Sequence, residues 1–428
     1  MSFTRNQIII IGILGLVIVF FILVFVGVIP GLKDKNSSNK QEVSLVFWGV
    51  DKPNLIQPII DKYSSLNSNV KVTYRQIDSD SYEKTLIDAL ATGQGPDVLM
   101  FNNNWLLKHY NKIIPSPDSQ FSADLASQLF PTVVSQNLVS GGQVYALPLY
   151  IDTLALLYNR NVLDTAGIAV LPKTWDEFQL IVPILKKTNQ LNQIVKPAAA
   201  IGGSAKSVDN AADLLNEIMA QFAGGPQNLI TGDGSVRFSD EELDAVNFYV
   251  GFANPTNPYN TWNDSLAYSL DSFADGSTAM IFNYASVFSK IKSKNPYLDF
   301  GVSQMPQLTS EGQPVNYADY WALAVSKQSK NSAWAWHFIV SITSNPEIAE
   351  LYTENTSLPP ALLSLIEKYK NDSKLGVFAR QALTARSWLQ PDNAEVKKIF
   401  SNMIESILNG KATAQNAMKE AENAINKL

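Results

Sequence analysis

Asn102, Asn103, Asn104 and Trp105 place three carboxamides and an indole in one run. Each amide both donates and accepts, so the run can grip the hydroxyl edges of a polyhydroxylated molecule while the ring covers its apolar face. It can equally form an Asn-rich turn. Asp152, just after the strand-breaking Pro148, can take a charge-assisted hydrogen bond from a hydroxyl or cap a turn. Trp48, Trp105, Trp262, Tyr284, Tyr320 and Trp321 fall at expected strand ends or in loops, where ring faces suit pyranose C–H surfaces. Each one singly also suits a core. Bond-breaking chemistry has fewer means here. The chain has no cysteine, and its two histidines, His109 and His337, stand far apart, so thiolate chemistry is excluded and a multi-histidine metal site is disfavoured. No metal and no cofactor is expected. Gly410-Lys411-Ala412-Thr413 lacks the glycine-rich, strand-to-helix context of a phosphate-binding loop.

The elements that must position these residues follow from periodicity. Val98 to Phe101 is an unbroken apolar run, the pattern of a strand buried on both faces, and the amides continue from its carboxyl end. In open α/β sheets ligands lie outside that end. Leu86, Ile87, Leu90 and Ala91 recur at helical spacing before it, and Gly93, Gly95 and Pro96 stop that helix. Val43 to Trp48 is an apolar strand, Leu55 to Leu66 a helix and Val70 to Arg75 an alternating strand, so the opening reads βαβαβ with a parallel sheet. Trp48 therefore ends a strand in the same sheet. Gly141 to Asn161 holds two strands broken at Pro148, which suits a crossing between two domains. Thr174 and Glu177 read as a capping box. Short strands follow over 279–282, 299–306 and 320–326, and the chain from Ser332 onward reads as helical.

With 46% hydrophobic residues in 428, the chain can bury two domain-sized cores. A net charge of −6 gives no support for a nucleic-acid surface, and no nucleic-acid partner is expected. Ile8 to Ile29 is apolar throughout and as a helix would span about 33 Å, enough for a bilayer core. No cleavage signal precedes Pro30, so an uncleaved anchor over 8–29 is expected, with a stub over 1–7 and a flexible linker over 30–42. Arg5 before the span and Lys33, Lys35 and Lys40 after it would by themselves place the large domain in the cytoplasm.

Several short motifs occur in a telling order: Leu45-Val46-Phe47-Trp48-Gly49, Ala91 to Val98 (ATGQGPDV), Tyr145-Ala146-Leu147-Pro148, Leu157-Tyr158-Asn159-Arg160, Lys173 to Phe178 (KTWDEF), and Phe273-Ala274-Asp275-Gly276 with Ala279-Met280. Ala417-Met418-Lys419-Glu420-Ala421 closes the series. From Val43 to Leu428 the chain resembles the extracellular solute-binding proteins of ATP-binding-cassette (ABC) transporters, of the maltose-binding-protein-like type. The resemblance implies an α/β, two-lobed periplasmic-binding-protein type II fold with a hinge and an interlobe cleft; the transmembrane helix expected before it from the apolar run 8–29 is a departure from the family's usual pattern. Lobe one would hold 43–150 with 320–343 returning, and lobe two 151–319 with the helices of 344–428. Matching positions put Trp48, Asp51, Phe101, Asn104, Trp105, Asp152, Asn283 and Tyr284 on the cleft walls, and the lobe crossing adds Tyr320 and Trp321. Trp262 joins them from the residue reading. Asn104-Trp105 stands where the maltodextrin binder has an acidic residue and an arginine, so maltose is not carried over.

The expected function is capture of a neutral sugar or oligosaccharide and its delivery to an ABC permease by a monomeric, membrane-anchored protein with its binding domain outside the cytoplasm. An anionic ligand would want Arg or Lys converging on the cleft, and the candidate positions carry neither. The alternatives are a ligand-binding partner of a membrane sensor, a binder of a polyol or cation, and a glycoside hydrolase using Asp51 and Asp152. The binding reading needs no enzyme activity.

Overall fold

The computed structural model describes residues 42–225, 229–231 and 235–428. The expected stub and anchor, and the linker up to residue 41, lie outside them. Among the described residues no helix is long and apolar enough to cross a membrane.

Ser44–Leu428 forms one unit. In chain order its principal strands are β1 (Val43–Gly49), β2 (Val70–Gln76), β3 (Val98–Asn102), β4 (Ile113–Ile114), β5 (Ala146–Pro148), β6 (Ala155–Asn159), β7 (Ala199–Ala200), β8 (Met280–Asn283), β9 (Phe300–Ser303) and β10 (Trp321–Ser326). The first sheet runs β2-β1-β3-β10-β4, with β5 also on β10, and the second runs β7-β8-β6-β9. The helices used below are α1 (Pro53–Leu66), α2 (Ser79–Ala91), α3 (Trp175–Leu185), α4 (Ala211–Phe222), α5 (Ser332–Ser344), α6 (Pro346–Thr356), α7 (Asn393–Leu408) and α8 (Ala414–Ile425).

β1 and β3 pair in parallel with Phe47 opposite Val98, as the βαβαβ reading requires, and every β3 residue is buried. The returning β10 is antiparallel to β3 and sets Trp321 opposite Asn102. The second sheet is mostly antiparallel, β8 and β9 both running against β6. Local signals act as their chemistry dictates. Gly93 ends α2 at φ +73°, a left-handed conformation that a side chain would strain. Thr174 and Glu177 cap α3 reciprocally, at 3.2 and 3.3 Å.

One helix packs away from the neighbours that the expected partition gives it. α6, assigned from sequence to the second half, packs on α1 of the first, where Asn355 donates to the Leu55 carbonyl and the Tyr352 hydroxyl to Asp51. The break at Asn345-Pro346 marks a helix boundary but carries no signal of which sheet the next helix covers. α7 and α8, by contrast, pack against each other and α7 against α4, in the second core.

Candidate functional site

The chain crosses between the sheets at 149–154 and 304–320 and returns to the second core between α6 and α7, and the polar side chains collect around these crossings. After β3 the three amides point to three different tasks. Asn102 Nδ2 donates to Asp319 Oδ1 at 2.8 Å. Asn103 clamps the crossing strand by exchanging bonds with the Tyr320 backbone at 3.0 and 3.1 Å. Asn104 is 1% exposed, and neither its amide oxygen nor its amide nitrogen has a hydrogen-bond partner among the described residues. It lies beside the Tyr317 hydroxyl without making a bond of normal geometry.

Facing these amides is an ion cluster that the sequence reading missed. Lys397, on α7, pairs with Asp213 of α4 at 2.9 Å and with Asp319, next to β10, at 2.8 Å. It thereby ties the second core to the start of β10 in the first sheet. Burial alone would lower the Lys397 pKa, but the two carboxylates hold it well above the usual lysine value. Asp213 also accepts from the Tyr284 hydroxyl at 3.0 Å, while its other oxygen is buried and unpartnered. One turn on, Asn216 takes the Trp388 indole N–H at 3.1 Å and keeps an unpartnered Nδ2; Gln390 donates to the Tyr317 hydroxyl at 3.1 Å and keeps an unpartnered Oε1. Glu217 accepts from the Tyr317 amide and from Gln221, and burial pushes its pKa up to about 8. A recess of about 390 Å³ opens beside Asp213 and Lys397.

The aromatic residues form a wall on the first-sheet side. Trp105 stacks on Tyr82 and meets Phe101, Trp321 and His109 edge-on, with ring centres 5.1–6.2 Å apart. Trp321 is the half-exposed member. Trp48 is buried beneath the Arg75 guanidinium, 4.6 Å from its ring. Below the wall Lys108 bridges Glu83 and Asp392, both at 2.6 Å, a second ion link between the halves because Asp392 caps α7. The His109 hydrogen bond, with Lys108, depresses the Glu83 pKa to about 2.

The remaining expected site residues divide. Asp51 accepts from Tyr352 at 2.9 Å, half-buried, and burial raises its pKa. Asp152 accepts three backbone N–H groups at 3.0 Å, from Thr153, Ala285 and Ser286, so most of its acceptor capacity ties the crossing to the end of β8; burial raises its pKa to about 7 despite those donors. Asn283 holds Asp209 and Asn210, the turn that leads into α4, and so positions Asp213. Tyr284 is in the cluster. Tyr320 turns away and bonds Asn137 within the first half, and Trp262 is fully buried with its N–H on Ser207. These last two sit in packing, apart from the cluster. The candidate positions carry no Arg or Lys, and the cation beside them is Lys397, a residue outside the expected set. Its helix carries Lys397 beside Lys398, a pair that reads as a solvated face. Asp213, Asn216 and Glu217 did carry a signal, being polar at i, i+3 and i+4, with Gln221 one turn on, in a helix whose other residues are apolar.

The profile of the bacterial extracellular solute-binding proteins matches residues 58–377. The maltotriose-binding protein of Pyrococcus abyssi is 22% identical over 372 residues, 84% of this chain and 75% of that one. Among solved structures, the ABC substrate-binding protein of Listeria monocytogenes in complex with cycloalternan superposes with a TM-score of 0.72 at 18% identity, over 90% of this chain and 99% of that one. The solute-binding protein of Thermotoga lettingae bound with α-D-tagatose gives 0.70 at 23% identity, over 90% and 99%. The two sheets and their crossings thus have the two-lobed α/β arrangement of those structures.

Proposed function

From the premise that this chain belongs to the bacterial extracellular solute-binding proteins, we propose that it captures a neutral sugar or short oligosaccharide between its two lobes and presents it to an ABC importer. The observation that carries this reading is a group of buried polar atoms around the lobe crossings that have no partner among the described residues: both ends of the Asn104 amide, Asp213 Oδ1, Asn216 Nδ2 and Gln390 Oε1. Each unpartnered buried group costs about 1–3 kcal/mol, and a ligand that supplies the missing hydrogen bonds to several of them at once recovers that cost. The set mixes acceptors with donors, and sugar hydroxyls are both. Trp321, at the half-exposed edge of the aromatic wall and backed edge-on by the buried Trp105, supplies the ring surface that a pyranose face needs. The sugar complexes of the Listeria and Thermotoga proteins support the same class.

On this reading lobe one comprises 43–150 and 320–356, and lobe two the second sheet with α7 and α8. Asp51, Asn104, Trp105, Tyr284 and Trp321 from the sequence, with Asp213, Asn216, Gln390 and Lys397 from the structure, form the binding surface. Trp48, Phe101, Asp152 and Asn283 support it from behind. The lobes close on the ligand by shifting an open–closed equilibrium. The apolar run 8–29 tethers the protein outside the cytoplasm, near its permease, as a monomer. A hydrolase reading is less well supported, because Asp51, Asp152, Asp213 and Asp319 are each already engaged by tyrosine, backbone amides, lysine or asparagine.

Thermal shift of the purified protein against neutral sugars, polyols, amino acids and cations tests the proposal. A ligand that binds only the native state raises the midpoint with its concentration. A saturable rise for related neutral sugars, each recovered intact, is the expected result. A rise only for amino acids or cations, or recovery of cleaved sugar, overturns it.

A further inference from the structure

The antiparallel hairpin after α3 sets Lys187 directly opposite Lys196. Like charges across a strand pair repel, and neither lysine makes an ion pair with any described residue. Together they line a groove of about 410 Å³ whose other walls include Ile184, Val162 and Ala166; none of its described lining residues is acidic. Lys186 turns away to the Pro258 carbonyl. From Phe178 to Val208 the chain contains four lysines and no carboxylate, although its net charge is −6.

The same segment also exposes several large aliphatic side chains. Leu180 and Ile184, one turn apart on α3, are 73% and 59% exposed, and Leu191, in the hairpin loop, is 77% exposed. Val195 is exposed as well. Lysines on an edge hairpin commonly guard it against strand addition. A guard has no use for four exposed aliphatic side chains beside it, whereas a surface carrying both fits a layer with anionic headgroups over acyl chains.

We propose that α3 and the 187–196 hairpin dock this protein on an anionic phospholipid bilayer, Lys187 and Lys196 straddling a headgroup phosphate while Leu180, Ile184 and Leu191 enter the interface. This is independent of the sugar reading. It adds a second contact with the membrane to the tether suggested by residues 8–29, and it fixes which face of lobe two meets the lipid.

Because the chain lacks cysteine, a single environment-sensitive fluorophore can be placed at Leu191→Cys in the full chain, with Tyr297→Cys, at a residue 93% exposed outside this segment, as control. The protein is mixed with vesicles of phosphatidylcholine alone or containing one-third phosphatidylglycerol. The expected result is a blue shift and several-fold brightening at 191 on the anionic vesicles only, none at 297, and loss of the response in Lys187→Glu/Lys196→Glu. The apolar run 8–29 is common to all samples and cancels. No shift at 191, an equal shift at 297, an equal shift on neutral vesicles, or a response that survives charge reversal overturns the proposal.

Discussion

Lys397→Met keeps the length and apolar stem of the lysine and removes only its charge. Asp213 then retains the Tyr284 hydroxyl, and Asp319 retains Asn102, but no cation remains between them. Removing one partner of a buried ion pair costs about 3–5 kcal/mol. The Lys397 side chain is 32% exposed and Asp319 18%, against 1% for Asp213, so water screens part of the loss and about 2 kcal/mol is expected. For a unit of the size of Ser44–Leu428 the entropy of unfolding is about 0.8 kcal/mol per degree, which converts the loss to a fall of about 2–3 °C in Tm. Adding Asp213→Asn removes the stranded charge, and the double variant should recover most of that fall. Scanning calorimetry on wild type, both single variants and the double variant closes the cycle. The reasoning is refuted if Lys397→Met leaves Tm unchanged, or if the two substitutions simply add.

Asn104→Leu removes two unpartnered polar atoms from a buried position, so it should hold or raise Tm in the absence of ligand while weakening sugar binding by about tenfold or more; calorimetric titration beside a melting curve checks both signs. Trp321→Ala, at the half-exposed edge of the aromatic wall, should weaken binding with a smaller stability loss than Trp105→Ala, whose ring is buried and should cost about 3–5 kcal/mol. Equal destabilisation by both would place Trp321 in the core. Asp152 and Glu217 have folded pKa values raised to about 7 and about 8, so folding takes up protons. Their stabilisation is complete below the ordinary carboxylate range and is lost as pH rises through 7 to 8. Glu83, depressed to about 2, acts oppositely, its contribution present above the ordinary range and lost as pH falls toward 2. Tm should therefore be higher near pH 5.5 than near pH 8.5, and a rise over that interval contradicts the assignment.

The first sheet was legible because its signals are local. The apolar run of β3, the alternation of β2 and the glycine stop at Gly93 each follow from neighbouring residues. The placement of Asn104 and Trp105 at the carboxyl end of β3 followed from the same reading. The ion cluster was not legible for the opposite reason. Asp213, Asp319 and Lys397 lie far apart in the chain and meet only when α4, the 304–320 crossing and α7 converge. Asp152 shows the intermediate case: its position at a break was evident, but its three amide donors come partly from residues 285 and 286. Tyr320 and Trp321 show the limit of strand-end reasoning. Successive residues face opposite sides of a strand, so Trp321 joins the aromatic wall and Tyr320 turns into the first core.

The central claim is that a neutral sugar sits between the lobes against the unpartnered polar atoms. Hydrogen exchange, with and without the sugar that gives the largest thermal shift, tests it most directly. The account predicts new protection concentrated in 101–105, 210–217 and 388–397, the segments that carry Asn104, Asp213, Asn216, Gln390 and Lys397. Protection confined to other segments, such as the loop at 307–316, with these three unchanged, would contradict it.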